Sequence, residues 1–155
     1  MKVSLNWLKE YVDINITPDE LADKLTRSGT AVEYITYLGK EIEGVVTGKV
    51  EAIEKHPEAD KLWICQLNIG KDEMSQIVTG ADNVRQGCIV PVATVGSTLP
   101  GGKKMKKAKL RGVESNGMLC SASELNIEDK LLQPEERTGI FLLPADTPIG
   151  ADIKE

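Results

Sequence analysis

Lys103-Lys104-Met105-Lys106-Lys107-Ala108-Lys109-Leu110-Arg111 packs six cationic side chains into nine residues. Ammonium and guanidinium groups at this density suit one chemistry above others. They neutralise phosphates and release condensed counterions, so binding weakens as salt rises and depends little on base sequence. Drawn out as a single strand, the stretch would place Lys103, Met105, Lys107, Lys109 and Arg111 on one face. Lys104, Lys106, Ala108 and Leu110 would take the other. The competing reading is a solvated edge strand, where lysines block pairing with another sheet.

Three further constellations are weaker. His56, Cys65, Cys88 and Cys120 formally supply an imidazole and three thiols for zinc. Their separations of 9, 23 and 32 residues match no compact knuckle, and each cysteine sits in an apolar run as a small hydrophobe would. The segment from Gly96 to Lys104 is reminiscent of a phosphate loop, but Ser97 stands where that motif needs Gly and Lys104 where it needs Ser or Thr. His56 could serve as a general base, yet no nucleophile accompanies it by spacing. Pro57 and Asp60 beside it read as a turn.

The chain has 155 residues and a formal charge of −5, which taken alone argues against a nucleic-acid partner. The mean hides the distribution. Residues 101–120 carry a net +5, whereas residues 41–100 carry −4 and residues 121–155 carry −5. Aromatic residues are scarce, and after Gly39 only Trp63 and Phe141 remain, with Trp63 read as core. Single-strand binders rely on several aromatic faces for base stacking. Backbone and shape recognition of a structured RNA therefore fits better than base-by-base reading. An odd set of three cysteines with no CxxC pair is no disulfide framework and points to a reducing cytoplasm. No stretch approaches the roughly 18 apolar residues of a membrane span, and Lys9 and Glu10 interrupt the place where a signal peptide would need its apolar run.

Pattern also gives the elements that must hold the basic stretch. Ser4 caps a short helix carrying Leu5, Leu8 and Val12. Thr17-Pro18-Asp19-Glu20 opens a second helix with a capping box, Leu21, Ala22 and Leu25 make its apolar stripe, and Gly29 stops it. Residues 31–37 look strand-like. Beyond Gly39 and Gly44 the pattern changes to short strands at 45–53, 62–69, 76–79, 89–95 and 117–121, separated by turn residues. In the 62–69 strand Trp63, Cys65, Leu67 and Ile69 share a face. This spacing predicts a mainly β protein, a small barrel or sandwich, which a five-stranded Greek-key barrel fits well, preceded by a small α+β segment.

Several motifs resemble a known family. Val46-Thr47-Gly48-Lys49-Val50, His56-Pro57-Glu58-Ala59-Asp60-Lys61-Leu62 and Gln76-Ile77-Val78-Thr79-Gly80-Ala81 are succeeded in order by Leu99-Pro100-Gly101-Gly102, Lys109-Leu110-Arg111-Gly112-Val113-Glu114-Ser115 and Gly117-Met118-Leu119-Cys120-Ser121. Together they resemble the tRNA-binding OB-fold module found at the end of some methionyl-tRNA synthetases and in free-standing tRNA-binding proteins. The opening Met1-Lys2-Val3-Ser4-Leu5-Asn6-Trp7-Leu8-Lys9-Glu10-Tyr11-Val12 is similar to the start of the bacterial phenylalanyl-tRNA synthetase beta subunit.

The resemblance implies an incomplete α+β domain at 1–39, a tRNA-binding OB-fold at 40–150 and the start of a downstream region at 151–155. It also implies a longer parent, a class II synthetase of two alpha and two beta subunits in the cytoplasm. That parent uses ATP and Mg²⁺ to join phenylalanine to its tRNA, with the catalytic site in alpha and the editing site later in beta. The fragment would then bind tRNA without catalysing, holding no cofactor and no metal. Phosphate contacts fall to Lys103, Lys104, Lys106, Lys107, Lys109 and Arg111, with Ser115, Asn116, Ser121 and Ser123 as hydrogen-bonding candidates near the same edge. Two alternatives are an assembly module within the synthetase and a free-standing tRNA-binding protein.

Overall fold

Cap chemistry organises the first part of the chain. The computed structural model describes residues 1–154 and divides into two units between Leu38 and Gly39. In the first unit, Ser4 Oγ accepts the Trp7 N–H at 3.4 Å and opens α1 (Leu5–Lys9). A reciprocal capping box starts α2 (Pro18–Arg27): Thr17 Oγ1 accepts from Glu20 N–H at 3.3 Å, and Glu20 Oε2 accepts from Thr17 N–H at 2.9 Å. These hydrogen bonds from Thr17 hold the Glu20 carboxyl below its usual range.

Gly29, at φ +100°, ends α2 in the left-handed region. The Thr30 N–H reaches Leu25 O at 2.9 Å and the Gly29 N–H reaches Thr26 O at 3.2 Å, a Schellman arrangement. Neither helix buries a residue. The strand expected at 31–37 does not form. A strand needs a neighbour to pair with, and this run pairs with no strand among the described residues: Thr26 Oγ1 takes the Val32 N–H at 3.1 Å, and the Tyr37 side chain is held by its hydroxyl donating to Asp19 at 2.6 Å. The first unit is thus helices and extended chain, where an α+β segment was expected.

The second unit is built on an antiparallel meander of β1 (Glu43–Lys55), β2 (Trp63–Asn68) and β3 (Ser75–Thr79). From β3 the chain crosses back to the other side of β1 as β4 (Ile89–Leu99), a Greek-key connection. Two irregularities bend β1, between Glu43 and Val45 and between Val50 and Ala52. They let one 13-residue strand pair with β4 along its first half and β2 along its second. The short strands β5 (Lys103–Lys104) and β8 (Gly117–Leu119) both pair with β4, and β6 (Ala108–Leu110) and β7 (Val113–Ser115) form a separate hairpin.

Closure comes from the far edge of β3. The Asn116 N–H donates to Gln76 O at 2.8 Å, Gln76 Nε2 donates to Glu114 O at 2.8 Å, and the Val78 N–H donates to Ser115 Oγ at 3.1 Å. Ser115 Oγ in turn donates to Gly117 O at 2.9 Å. A side-chain hydroxyl thus does the work of a missing ladder carbonyl, and the sheet becomes a nearly closed, OB-like barrel. Gly117 is required where β8 crosses β4, since a Cβ there would lie 2.3 Å from Ala93 O.

The interior fills in two clusters. One centres on Val50, Cys65, Leu67, Ile77, Val90 and Val92, the other on Ile42, Val45, Ala93, Leu99, Cys120 and Leu125. Trp63, expected in the core, is only half-buried: it begins β2 at the barrel's rim, opposite Lys55 and Thr79. Residues 151–153, set apart by the sequence as the start of a downstream region, lie along β1. Ala151 O accepts from Thr47 N–H at 2.9 Å, and the Ile153 N–H donates to Val45 O at 3.0 Å. Glu155 lies outside the described residues.

This packing can be tested at two points. Ser115→Ala leaves the buried Val78 N–H without its acceptor and should lower unfolding free energy by about 1–3 kcal/mol in urea titrations. A loss below about 0.3 kcal/mol would contradict the closure described. Burial pushes the Cys65 thiol up to about 11 and, with Glu124 adding to it, the Cys120 thiol up to about 12. The native state therefore holds these protons more tightly than the unfolded chain, and this share of stability is lost as pH climbs from about 9 toward 12. At pH 8 only on the order of one thiol in a thousand, or fewer, is thiolate at these sites. Iodoacetamide should leave both unmodified until denaturant is added, and rapid labelling of either with native circular dichroism would refute their burial.

Candidate nucleic-acid interface

The basic stretch begins where β4 turns back on itself. Gly101 and Gly102, at φ +83° and +75°, make a turn that returns the chain so that Lys103 pairs with Leu99 and Lys104 with Thr98. Met105 completes this return: its N–H donates to Ser97 O at 2.9 Å, its carbonyl accepts from Gly96 N–H at 2.8 Å, and its side chain packs against the second core cluster. The chain then leaves the sheet at Lys106 and Lys107 and forms the β6–β7 hairpin. Its two turn residues, Arg111 and Gly112, are both left-handed at φ +50° and +84°, the pattern of a type I′ turn.

The continuous strand drawn from the sequence is therefore two strands in two sheets. Met105 marks the end of the pairing with β4, half-buried against the second core cluster, and beyond Lys107 the chain forms the separate hairpin. The simple division into two faces does not survive this break. All six cations are nonetheless exposed.

Their electrostatic states differ. Lys107 Nζ lies 3.0 Å from Glu114 Oε2, and this hydrogen bond holds the Glu114 carboxyl below its usual range. Lys109 sits directly across the hairpin from Glu114. Among the described residues no salt bridge engages Lys103, Lys104, Lys106, Lys109 or Arg111. Lys107 is the member of the set whose charge is already balanced within the chain.

The polar candidates separate more sharply. Ser115 is buried, and its hydroxyl is committed to Val78 and Gly117. Asn116 is half-buried, with its backbone N–H on β3. Ser121 Oγ bonds to Glu124 Oε2 at 3.1 Å and to Ser123 Oγ at 3.0 Å, closing a local capping box with Glu124. Ser123 is exposed and shares a shallow depression of about 380 Å³ with Lys103, Glu41 and Glu124. The fold thus brings Lys103 and Ser123 together, among carboxylates, and turns Ser115 inward.

The competing chemistries dissolve on the same geometry. Cys65 and Cys88 belong to one core cluster and Cys120 to the other. No group of three or more His, Cys, Asp or Glu side chains able to hold a metal occurs among the described residues. The segment from Gly96 to Lys104 is strand, turn and strand, with no helix N-terminus to receive a phosphate.

His56 is buried at the end of β1, and both ring nitrogens meet backbone. Nδ1 accepts from Glu58 N–H at 3.0 Å, so Nε2 carries the proton and donates to Leu110 O at 3.0 Å. The sequence marked His56 as a turn residue, which it is. Its bond to the basic hairpin, 54 positions away, has no local signal.

Comparison with known proteins identifies what the chain is similar to. Residues 45–152 match the family described as "Putative tRNA binding domain". The chain is 55% identical over 155 residues to the phenylalanine–tRNA ligase beta subunit of Clostridium tetani and 56% identical to that of Clostridium acetobutylicum. In each case all of this chain is covered but only 19% of the relative, so the chain spans about a fifth of the curated relatives it matches. Among solved structures, a MetRS-related protein from Pyrococcus horikoshii aligns over 69% of this chain and 85% of its own, at 26% identity and a TM-score of 0.47. With its family's match running from the start of β1 to the strand-like chain end beside it, the protein belongs to the tRNA-binding domain family.

Proposed function

We propose that this chain binds tRNA through the surface formed by β5 and the β6–β7 hairpin. The observation that carries the reading is a set of five exposed cations, Lys103, Lys104, Lys106, Lys109 and Arg111, without salt-bridge partners among the described residues of an otherwise acidic chain. Contacts of this kind address phosphates, and the scarcity of exposed aromatics beside them favours a folded RNA over a single strand. The acidic remainder of the surface repels RNA and confines it to one side.

The relatives point to a larger setting. This chain would be part of a phenylalanine–tRNA ligase beta subunit, acting in the cytoplasm with an alpha subunit in an assembly of two alpha and two beta chains. The complete enzyme would use ATP and Mg²⁺ to attach phenylalanine to its tRNA. In that setting these 155 residues would bind tRNA, with the chemistry carried elsewhere in the enzyme. An assembly role for residues 1–38 is a second reading, favoured by the exposed Trp7, Tyr11, Tyr34 and Leu38.

Salt titration tests the main reading. Log affinity for tRNA should fall steeply with log salt. A Lys106→Ala, Lys109→Ala, Arg111→Asn triple variant should bind at least about tenfold more weakly, with a slope shallower by roughly 2–3. Asn suits the left-handed turn position of Arg111, so the fold is preserved. An unchanged slope would remove these side chains from the interface. Conversely, Glu114→Gln releases Lys107 and should tighten binding by about two- to fivefold at low salt. Weaker binding by that variant would show that the pair holds the hairpin's shape and leaves no spare charge.

A further inference from the structure

The β6–β7 hairpin projects from the barrel, and the way it is held decides where its cations point. At its base the hold is extensive: Glu114 O, Ser115 Oγ and the Asn116 N–H all bond to β3. Toward the tip it is slender. Among the described residues, one hydrogen bond ties residues 108–113 to the barrel, from His56 Nε2–H to Leu110 O at 3.0 Å. Leu110 is the residue immediately before the Arg111-Gly112 turn, and its side chain is exposed. The fixed point is therefore its carbonyl and not a buried side chain.

We propose that His56 is a positioning residue for RNA binding, a latch that fixes the tip of the basic hairpin against the turn between β1 and β2. The inference rests on the tRNA-binding reading above and adds to it a buried residue outside the basic set. Three features of His56 suit the part. It is 3% exposed, so solvent does not compete for its ring. Its Nδ1 is occupied by the Glu58 N–H at 3.0 Å, which fixes both the ring's orientation and the tautomer that places a proton on Nε2. The turn carrying it is itself closed by His56 N–H to Leu62 O at 2.9 Å and Leu62 N–H to Ala59 O at 3.1 Å. A rigid donor thus faces a carbonyl one residue from Arg111 and one from Lys109. Holding several cations in a fixed array spares RNA the cost of ordering them on binding.

Two variants separate the latch from the turn. In His56→Asn the side-chain oxygen can still accept from Glu58 N–H but nothing reaches Leu110. In His56→Gln the longer amide can donate to Leu110 O while the Nδ1 acceptor is lost. The readouts are tRNA affinity at fixed salt and amide hydrogen exchange of residues 108–115 against β1 and β2. The latch predicts that Asn weakens tRNA binding by roughly three- to tenfold and speeds exchange in the hairpin alone, and that Gln restores both toward wild type. Gln performing no better than Asn overturns the proposal, whether both fold or both fail. Wild-type affinity and hairpin protection in His56→Asn overturn it equally. If the unmodified chain binds no tRNA, the functional reading fails by itself, and hairpin exchange in the two variants still decides whether His56 is the latch.

Discussion

The outer edge of β3 is the constraint on which the second unit depends. A five-residue strand at the end of a sheet exposes N–H and C=O groups that must be paired, by water, by another chain or by the barrel itself. Here Ser115 Oγ takes the Val78 N–H and the Asn116 N–H reaches Gln76 O, while the Gln76 side chain adds a bond to Glu114 O. In doing so they fix the junction of β7 and β8, and with it the base of the hairpin that carries Lys109 and Arg111. Core closure and presentation of charge are thus one event. The same hydroxyl that satisfies a buried amide fixes the base of the hairpin that carries the cations.

Charge is arranged in the opposite sense to mass. The barrel and its flanks are acidic, and the positive residues gather on a segment with almost no core of its own. Met105 is its one inward anchor, and it divides the segment into a part bound to β4 and a part that projects. Such a segment can be densely charged because burial asks little of it. Its order comes from hydrogen bonds to its neighbours, through His56 at one end and Gln76 and Ser115 at the other. Glu114 moderates the repulsion among the lysines at Lys107 and Lys109.

Much of this was legible in the residues. Caps at Ser4 and Thr17, the glycine stop at Gly29, the strand rhythm after Gly44 and the basic stretch all depend on neighbours within a few positions, where type and spacing speak directly. The failures are long-range. The strand-like run at 31–37 lacked a pairing partner, which no local pattern reveals. Trp63 looked like core by its alternation with Cys65 and Leu67, but it falls at the strand's first residue, at the barrel's rim. Ser115 looked available to a ligand, yet its partner Val78 lies 37 positions away. Likewise His56 looked like a simple turn residue, because Leu110 comes near it only in the folded barrel.

If RNA meets this chain on the face formed by β5 and the β6–β7 hairpin, that face should be readable without altering any residue. Photo-crosslinking of bound tRNA at low salt, with mass spectrometry of the linked peptides, does so most directly. Adducts should concentrate within residues 103–111, with few on the acidic strands β1 and β2. Adducts confined to residues 1–38 or to the acidic segment after Ser121 would contradict it.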